Sequence, residues 1–340
     1  MNRTNINFAD NECRFSGQRT GHYEVWFITL NDPISGCGFW FRYTIDVRQG
    51  TTQPEPGLWG CFFHAHDHNK TFGLRRSFPA SAWQTSNASE GLVIGIGQNA
   101  LHNSRLYGRL AEGGRSISWD LKLEPATETF QHIDPLARDL FKPKTLICAP
   151  NLAVKFSGRV EVNGEEFQLE KAVGCQQHIW GSKHTESWAW AHCNFFENEP
   201  DAVFEGLAAR PKRGPFTMPP LTLAYLRYRG EHFYFNKIRH LIMARNRFGD
   251  FEWQFTTGDS LIRLYGEASA LTNNMLQVEY PDPDGARTFC LNSEIGSLTL
   301  NLERRSRRFT KWQPFAKLIS SGTTHFERAS RIRQPLVPLI

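Results

Sequence analysis

The sequence predicts an all-β protein with little helix, built as two tandem antiparallel β domains. Three observations predict it. Short runs rich in aromatic and β-branched residues, separated by turn formers, recur along nearly the whole chain. Aromatic residues make up 13% of the 340 residues, with 26 Phe and 10 Trp, a composition that favours strands with bulky interiors. Finally, an aromatic opening strand, a polar turn and a second strand occur twice, in "YEVWFITLNDPISGCGFWFRYTI" and in "WAWAHCNFFENEPDAVFEGLAA". Each copy is followed by a meander of roughly 150 residues, near the size of one barrel domain. The second copy opens near residue 186, so the domains are placed at 1–183 and 184–340.

Taken in order, "HYEVWFITL" and "GFWFRYTIDV" read as two strands joined by the turn-rich "NDPISGC". Further strands are expected at "GLWGCFFHA", "KTFGLRRSF", "GLVIGIG", "SRLYGRLA" and "SISWDLKLE". "AVKFSGRVEV" and "EEFQLEKAVG" form a hairpin about Asn163-Gly164, a pair suited to a two-residue turn. The best helix candidate is a short piece at "DPLARDLF". The second half repeats the pattern from "DAVFEGLAA" and "LTLAYLRYR" to "SLTLNLERR" and "HFERASRIR". Such regular short strands indicate barrels or sandwiches rather than parallel α/β units. No linker rich in Gly, Ser or Pro separates the halves, so a packed interface is expected.

Composition narrows the function. The net charge is +5 and the basic residues are dispersed, which argues against a nucleic-acid partner. No segment approaches the ~20 apolar residues of a membrane span, and the start, "MNRTNINFADNECRF", lacks a signal-peptide core. The expected location is the cytoplasm. Cys13, Cys37, Cys61, Cys148, Cys175, Cys193 and Cys290 form no C-x-x-C pair and read as free thiols. "GLVIGIGQNA" precedes no helix, so it is no dinucleotide fingerprint, and no cofactor is expected. His64, His66 and His68 alternate in "FFHAHDHNK", but they sit where a hairpin turn belongs; a polar turn is the better reading, and no metal is expected.

The candidate site starts from "WAWAHCNFF". In a strand Trp188, Trp190, His192, Asn194 and Phe196 share one face, opposite the mostly small residues Ala189, Ala191, Cys193 and Phe195. Large aromatics mixed with polar tips suit a pocket wall, the polar tips supplying orientation. In the first hairpin, if Asn31 and Cys37 flank the turn, Trp26 faces Arg42 and Glu24 faces Thr44. His22, Glu24, Trp26, Trp40, Arg42, Thr44 and Asp46 then share a mixed face, either solvated or lining a wet lumen. Glu24 and Arg42 there would anchor a polar end of a ligand. In "QQHIWG", Gln176, His178 and Trp180 share a face, and His178 is either a general acid or a buried histidine bonded to backbone. His192 carries the same ambiguity. Glu205 is a lone carboxylate between apolar neighbours, a proton donor if it faces an apolar lumen, although "ENEPD" leaves its facing open.

The segments "HYEVWFITLNDPISGCGFWFRYTI", "GCQQHIWGSKHTESWAWAHCNFF" and "VFEGLAAR" resemble the hydroxyneurosporene-synthase and tocopherol-cyclase-like branch of the calycin superfamily. The H-x-W-G segment before a W-x-W strand is the most specific part. The resemblance implies two lipocalin-like β-barrels, and an enzyme that folds or protonates an apolar polyene or terpenoid-like substrate by cyclisation, hydration or isomerisation. A non-catalytic carrier or sensor of a hydrophobic small molecule is the alternative, and a metal-dependent hydrolase a distant third. An acid catalyst needs a protonatable side chain, Glu24, His178, His192 or Glu205, in the same cavity as the tryptophans. A carrier needs none.

Overall fold

The computed structural model describes residues 8–17, 19–86, 91–124 and 128–340; the first seven residues, where the chain was read as lacking a signal-peptide core, lie outside them. Two curled antiparallel sheets dominate, one of twelve strands between His22 and Gly181 and one of ten between Ser187 and Ser330. They form two tandem lipocalin-like β-barrels with little helix, as the sequence predicts.

The two sheets share a topology. Strand His22–Asp32 pairs with Cys37–Val47 on one side and with Glu165–Gly181 on the other. Strand Ser187–Cys193 likewise pairs with Val203–Arg210 and with Gln313–Ser330. Each unit ends in a long hairpin, Thr145–Val162 with Glu165–Gly181 and Arg287–Arg304 with Gln313–Ser330. The first of these turns at Asn163 and Gly164, with φ of 51° and 85°, the left-handed pair of a type I′ turn. The expected helix is Pro135–Phe141: Asp134 caps it by accepting the Leu136 N–H, proline occupies its first position, and Lys142 ends it at φ 43°. A second helix, Ile238–Met243, was not expected; at six residues it is too short to show a helical period.

Alternation along the strands feeds three cores. Trp26, Ile28 and Leu30 point into the first barrel with Phe39, Phe41 and Tyr43. Ala189, Ala191 and Cys193 point into the second with Phe204, Trp253 and Phe255. The third core is the seam between the sheets, where Val25, Phe27 and Trp40 meet Trp190, Val278 and Tyr280. Every residue of His22–Asp32 is therefore buried, so neither face of the first hairpin is solvated.

The hairpin register differs from the expected one by a single residue. Asp32 pairs with Cys37 across a four-residue turn, so Trp26 faces Tyr43, Phe27 faces Arg42 and Glu24 faces Ile45. A one-residue slip exchanges the faces. Glu24 and Trp26 enter the first barrel, whereas Trp40 and Arg42 face the seam. Contact across the seam is close: a Cβ on Gly38 would lie 2.4 Å from the Cβ of Glu294, so only glycine fits there.

All seven cysteines are unpaired, six of them buried. Thiol titration of freshly purified, denatured and unreduced protein is expected to count seven. A count of five or fewer would contradict the structure. No helix among the described residues is long and apolar enough to cross a membrane.

Candidate functional site

The seam holds a small open cavity with a volume of about 80 Å³. Tyr23, Val25, Phe27, Arg42 and Ile179 line it from the first sheet; Trp188, Trp190, Leu207, Tyr280 and Glu327 line it from the second. His184 enters from the connection between the sheets. Register explains the grouping: Trp190 lies opposite Leu207 on one neighbouring strand and opposite Glu327 on the other. Directly opposed residues in an antiparallel pair share a face.

Three polar groups stand in this aromatic wall. Glu327 is half-buried, and its Oε2 accepts the Trp188 indole N–H at 3.1 Å and the Cys290 thiol at 3.6 Å. Both contacts fall on Oε2, which leaves Oε1 for an occupant of the cavity. Burial raises its pKa to about 7, against the pull of the Trp188 hydrogen bond and the Arg42 charge. His184 is stacked against Tyr23 at 4.2 Å and more loosely between Trp188 and Tyr280. Its Nδ1 lies 2.7 Å from Asp282 Oδ1, while Arg331 holds Asp282 Oδ2 at 2.7 Å. Burial lowers the His184 pKa despite that carboxylate, so the ring is neutral near pH 7, with its proton on Nδ1. Arg42 lays its guanidinium 3.9 Å from the Tyr280 ring centre.

Behind Trp190, deeper in the seam, lies a second polar centre. Glu205 receives four N–H groups: His132 Nε2 at 2.7 Å and Trp190 Nε1 at 2.6 Å on Oε1, His192 Nδ1 at 3.0 Å and Gln177 Nε2 at 3.1 Å on Oε2. His132 and Gln177 come from the first unit, so this carboxylate ties the sheets together. Burial pushes the Glu205 pKa up, but the His132 and His192 hydrogen bonds outweigh it and bring it to about 2. The expected apolar lumen is thus absent, and Glu205 is an anion rather than a proton donor. Cys175, His192 and Glu205 place ligand-type atoms within 4.8 Å of one another, the one such metal-competent cluster among the described residues. Each Glu205 oxygen already accepts two N–H groups, which makes it a hydrogen-bonded hub.

Next to it, the His325 ring stacks on His192 at 5.6 Å, and its Nδ1 meets Glu294, which also receives the Thr29 hydroxyl. Burial raises the Glu294 pKa from 4.5 to about 8 and lowers that of His325 from 6.5 to about 3. A carboxyl with a raised folded pKa contributes stability that is complete below its unfolded pKa and lost as pH rises through the folded value. As pH rises past 6.5 the unfolded-state His325 loses its charge, so the slope above that value belongs increasingly to the acids. The thermal midpoint is expected to fall between pH 6.5 and 8, and Glu294→Gln to flatten that fall. A midpoint in the wild-type protein that stays level over this range would show that the Glu294 carboxyl is ionised in the folded state.

The first barrel has its own anion. Glu24 accepts His178 Nε2 at 2.8 Å, His22 Nε2 at 3.1 Å and the Arg14 backbone N–H at 2.7 Å. Burial raises its pKa, but the hydrogen bonds from His178 and His22 bring it to about 2. His178 also bonds the Asp10 carbonyl through Nδ1, stacks on Trp26 and meets the half-buried Trp180 at a tilt.

The structure therefore divides the expected site residues among three places. Arg42, Trp188 and Trp190 line the cavity; Trp40, His192 and Glu205 lie in the seam outside its lining; Glu24, Trp26, His178 and Trp180 are inside the first barrel. Asn194 reaches the first sheet, donating to the Gly174 carbonyl at 2.8 Å. Phe196 does not share that face: the strand ends at Cys193, and Phe196 turns into the core of the second barrel. His64 Nδ1 accepts the His66 and Asp67 backbone N–H groups, capping the turn where metal binding was set aside. Sequence reasoning missed Glu327, His184, Tyr280 and Glu294. The alternation H-x-E in "THFERAS" was the available signal, since it places His325 and Glu327 on one face.

Two like sheets closing an aromatic seam around a cavity define a tandem β-barrel protein. The chain belongs to the tocopherol cyclase-like family, whose sequence profile matches residues 102–327, and the resemblance seen in the sequence is thereby confirmed. It is 24% identical over 295 residues to the uncharacterized protein Rv0493c of Mycobacterium tuberculosis, covering 84% of this chain and 82% of that one. Its fold is similar to an AttH candidate from Nitrosomonas europaea (TM-score 0.56, 13% identity, 91% of this chain and 92% of the other). It is also similar to kievitone hydratase from Nectria haematococca (TM-score 0.50, 11% identity, 95% and 94%).

Proposed function

We propose that the protein is an enzyme that protonates an apolar polyene or terpenoid-like substrate in the seam cavity, with Glu327 as the proton donor. One observation carries this reading: a half-buried carboxyl with a pKa raised to about 7 stands in the same cavity as Trp188 and Trp190. A general acid works best with a pKa near the working pH. Transfer of the Glu327 proton to an alkene carbon leaves a carbocation on the substrate and a carboxylate on the enzyme. The faces of Trp188, Trp190, Tyr280 and Tyr23 would stabilise that cation. His184, neutral and fixed by Asp282, would take a proton from the adjacent carbon, giving a shifted or cyclised alkene. With a water molecule as the group deprotonated, the same pair gives hydration. Both outcomes agree with the cyclase of the family name and with the hydratase among the relatives of similar fold. The reaction balances without a redox cofactor, and the unpaired thiols suit a cytoplasmic setting. Glu24 and Glu205 stay ionised here and hold the structure.

The test is to identify the small molecule that accompanies the purified protein by mass spectrometry and to incubate it with the protein in D2O. Carbon-bound deuterium in the product supports the reading. A ligand that stays bound without exchange or conversion would identify a carrier.

A further inference from the structure

We propose that the ligand of the seam cavity carries a carboxylate at one end of its apolar skeleton and that Arg42 binds it. The inference rests on the reading of the cavity as the substrate site. Arg42 is only 7% exposed, yet it makes no hydrogen bond and no ion pair with any described residue, and its Nε is sealed without a partner. Charged side chains this buried are normally paired. What surrounds the guanidinium is aromatic: the ring centres of Tyr280, Trp59 and Trp40 lie 3.9, 5.5 and 5.9 Å away. Ring faces attract the cation but do not satisfy its N–H groups, which lie in the guanidinium plane.

The nearby acids do not fill the role. Asp46 and Glu327 feel the Arg42 charge, but neither bonds to it. Trp188 and Cys290 hold Glu327 instead, and the Asp46 pKa is raised by burial to about 6 despite Arg42. An arginine with open N–H groups at the wall of a largely aromatic cavity is a fork for a planar carboxylate. One cation beside the Glu327 carboxyl matches a single negative charge. A diphosphate would bring several charges to a site with one arginine and an acid. Val25, Phe27, Ile179 and Leu207 would take the apolar remainder. A carboxylate on Arg42 also spends the positive charge that otherwise favours ionisation of Glu327, which keeps that acid protonated.

Calorimetric titration of the full-length protein with farnesoic acid and with farnesol, which differ only in the head group, tests the proposal at a pH where the acid is ionised. The acid is expected to bind at least about tenfold more tightly, the worth of a charge-assisted hydrogen bond. Arg42→Gln should erase the difference, and Arg42→Lys should keep part of it. Should the Gln variant fail to fold, the comparison within the wild-type protein and the Lys variant still decide. Equal affinity for acid and alcohol in the wild-type protein, or a preference retained in Arg42→Gln, would overturn the carboxylate proposal and leave the cavity reading standing. Tighter binding of farnesyl diphosphate than of farnesoic acid would do the same. If none of the three binds, the cavity reading falls and this proposal falls with it.

Discussion

Replacing Glu327 with Gln is expected to slow proton transfer to substrate by about a hundredfold or more, the usual contribution of a general acid, while the protein stays folded. The amide has the shape of the carboxyl and can still accept the Trp188 indole N–H, but it has no acidic proton to give. The pH profile separates this role from a structural one. Because the donor must be protonated, the rate in the wild-type protein should fall as pH rises through about 7, the Glu327 value. That limb should disappear in Glu327→Gln. Stability should hold or rise slightly above neutrality, since the variant no longer carries a group that burial discourages from ionising. A variant that keeps the wild-type rate, or whose profile keeps the same limb, would remove Glu327 from the mechanism.

The fold was legible because its signals are local. Asn163-Gly164 fixes a hairpin by backbone preference alone, Asp134-Pro135 starts a helix, and the strands repeat at short spacing. The doubled opening hairpin told of a doubled topology. Register was less legible, because it depends on turn length. Five residues were expected between the paired ends of the first hairpin and four are found, which moved Glu24 and Arg42 to opposite faces of the hairpin. The face of "WAWAHCN" was read correctly up to Asn194 and failed at Phe196, where the strand had already ended.

The site was legible only by half. Trp188, Trp190 and Arg42 stood out as unusual residues in their own strands, but their partners come from distant segments. Tyr280 and Glu327 lie some ninety and one hundred and forty positions along from Trp188. Nothing local in either stretch says that the outer faces of two barrels bury each other. That contact turns Val25, Phe27 and Trp190 into one core and forms the walls of the cavity. Glu205 shows the same gap from the other side. Its apolar neighbours in sequence suggested a carboxyl with a raised pKa, while His132 and Gln177 of the other sheet supply donors that lower it.

Glu205→Leu is expected to cost on the order of 3–5 kcal/mol, the penalty for breaking a buried, hydrogen-bonded charge cluster. Leucine fills similar space but leaves the N–H groups of His132, Trp190, His192 and Gln177 facing hydrocarbon. Two of these belong to the first unit and two to the second, so the loss falls on the seam. Urea denaturation at pH 7 should show a lower midpoint, and the transition should broaden or split if the sheets separate before they unfold. The acid response gives an independent check. The folded Glu205 pKa is lowered from 4.5 to about 2, so its contribution is complete above pH 4.5 and lost as pH falls toward 2. The gap in stability between the wild-type protein and Glu205→Leu should therefore narrow over that range. Trp190→Phe is the milder control: it keeps the ring against Phe27 and gives up one of the four donors. If Glu205→Leu unfolds at the wild-type urea concentration, the carboxylate is not what holds the two sheets together, and the apolar part of the seam carries that role alone.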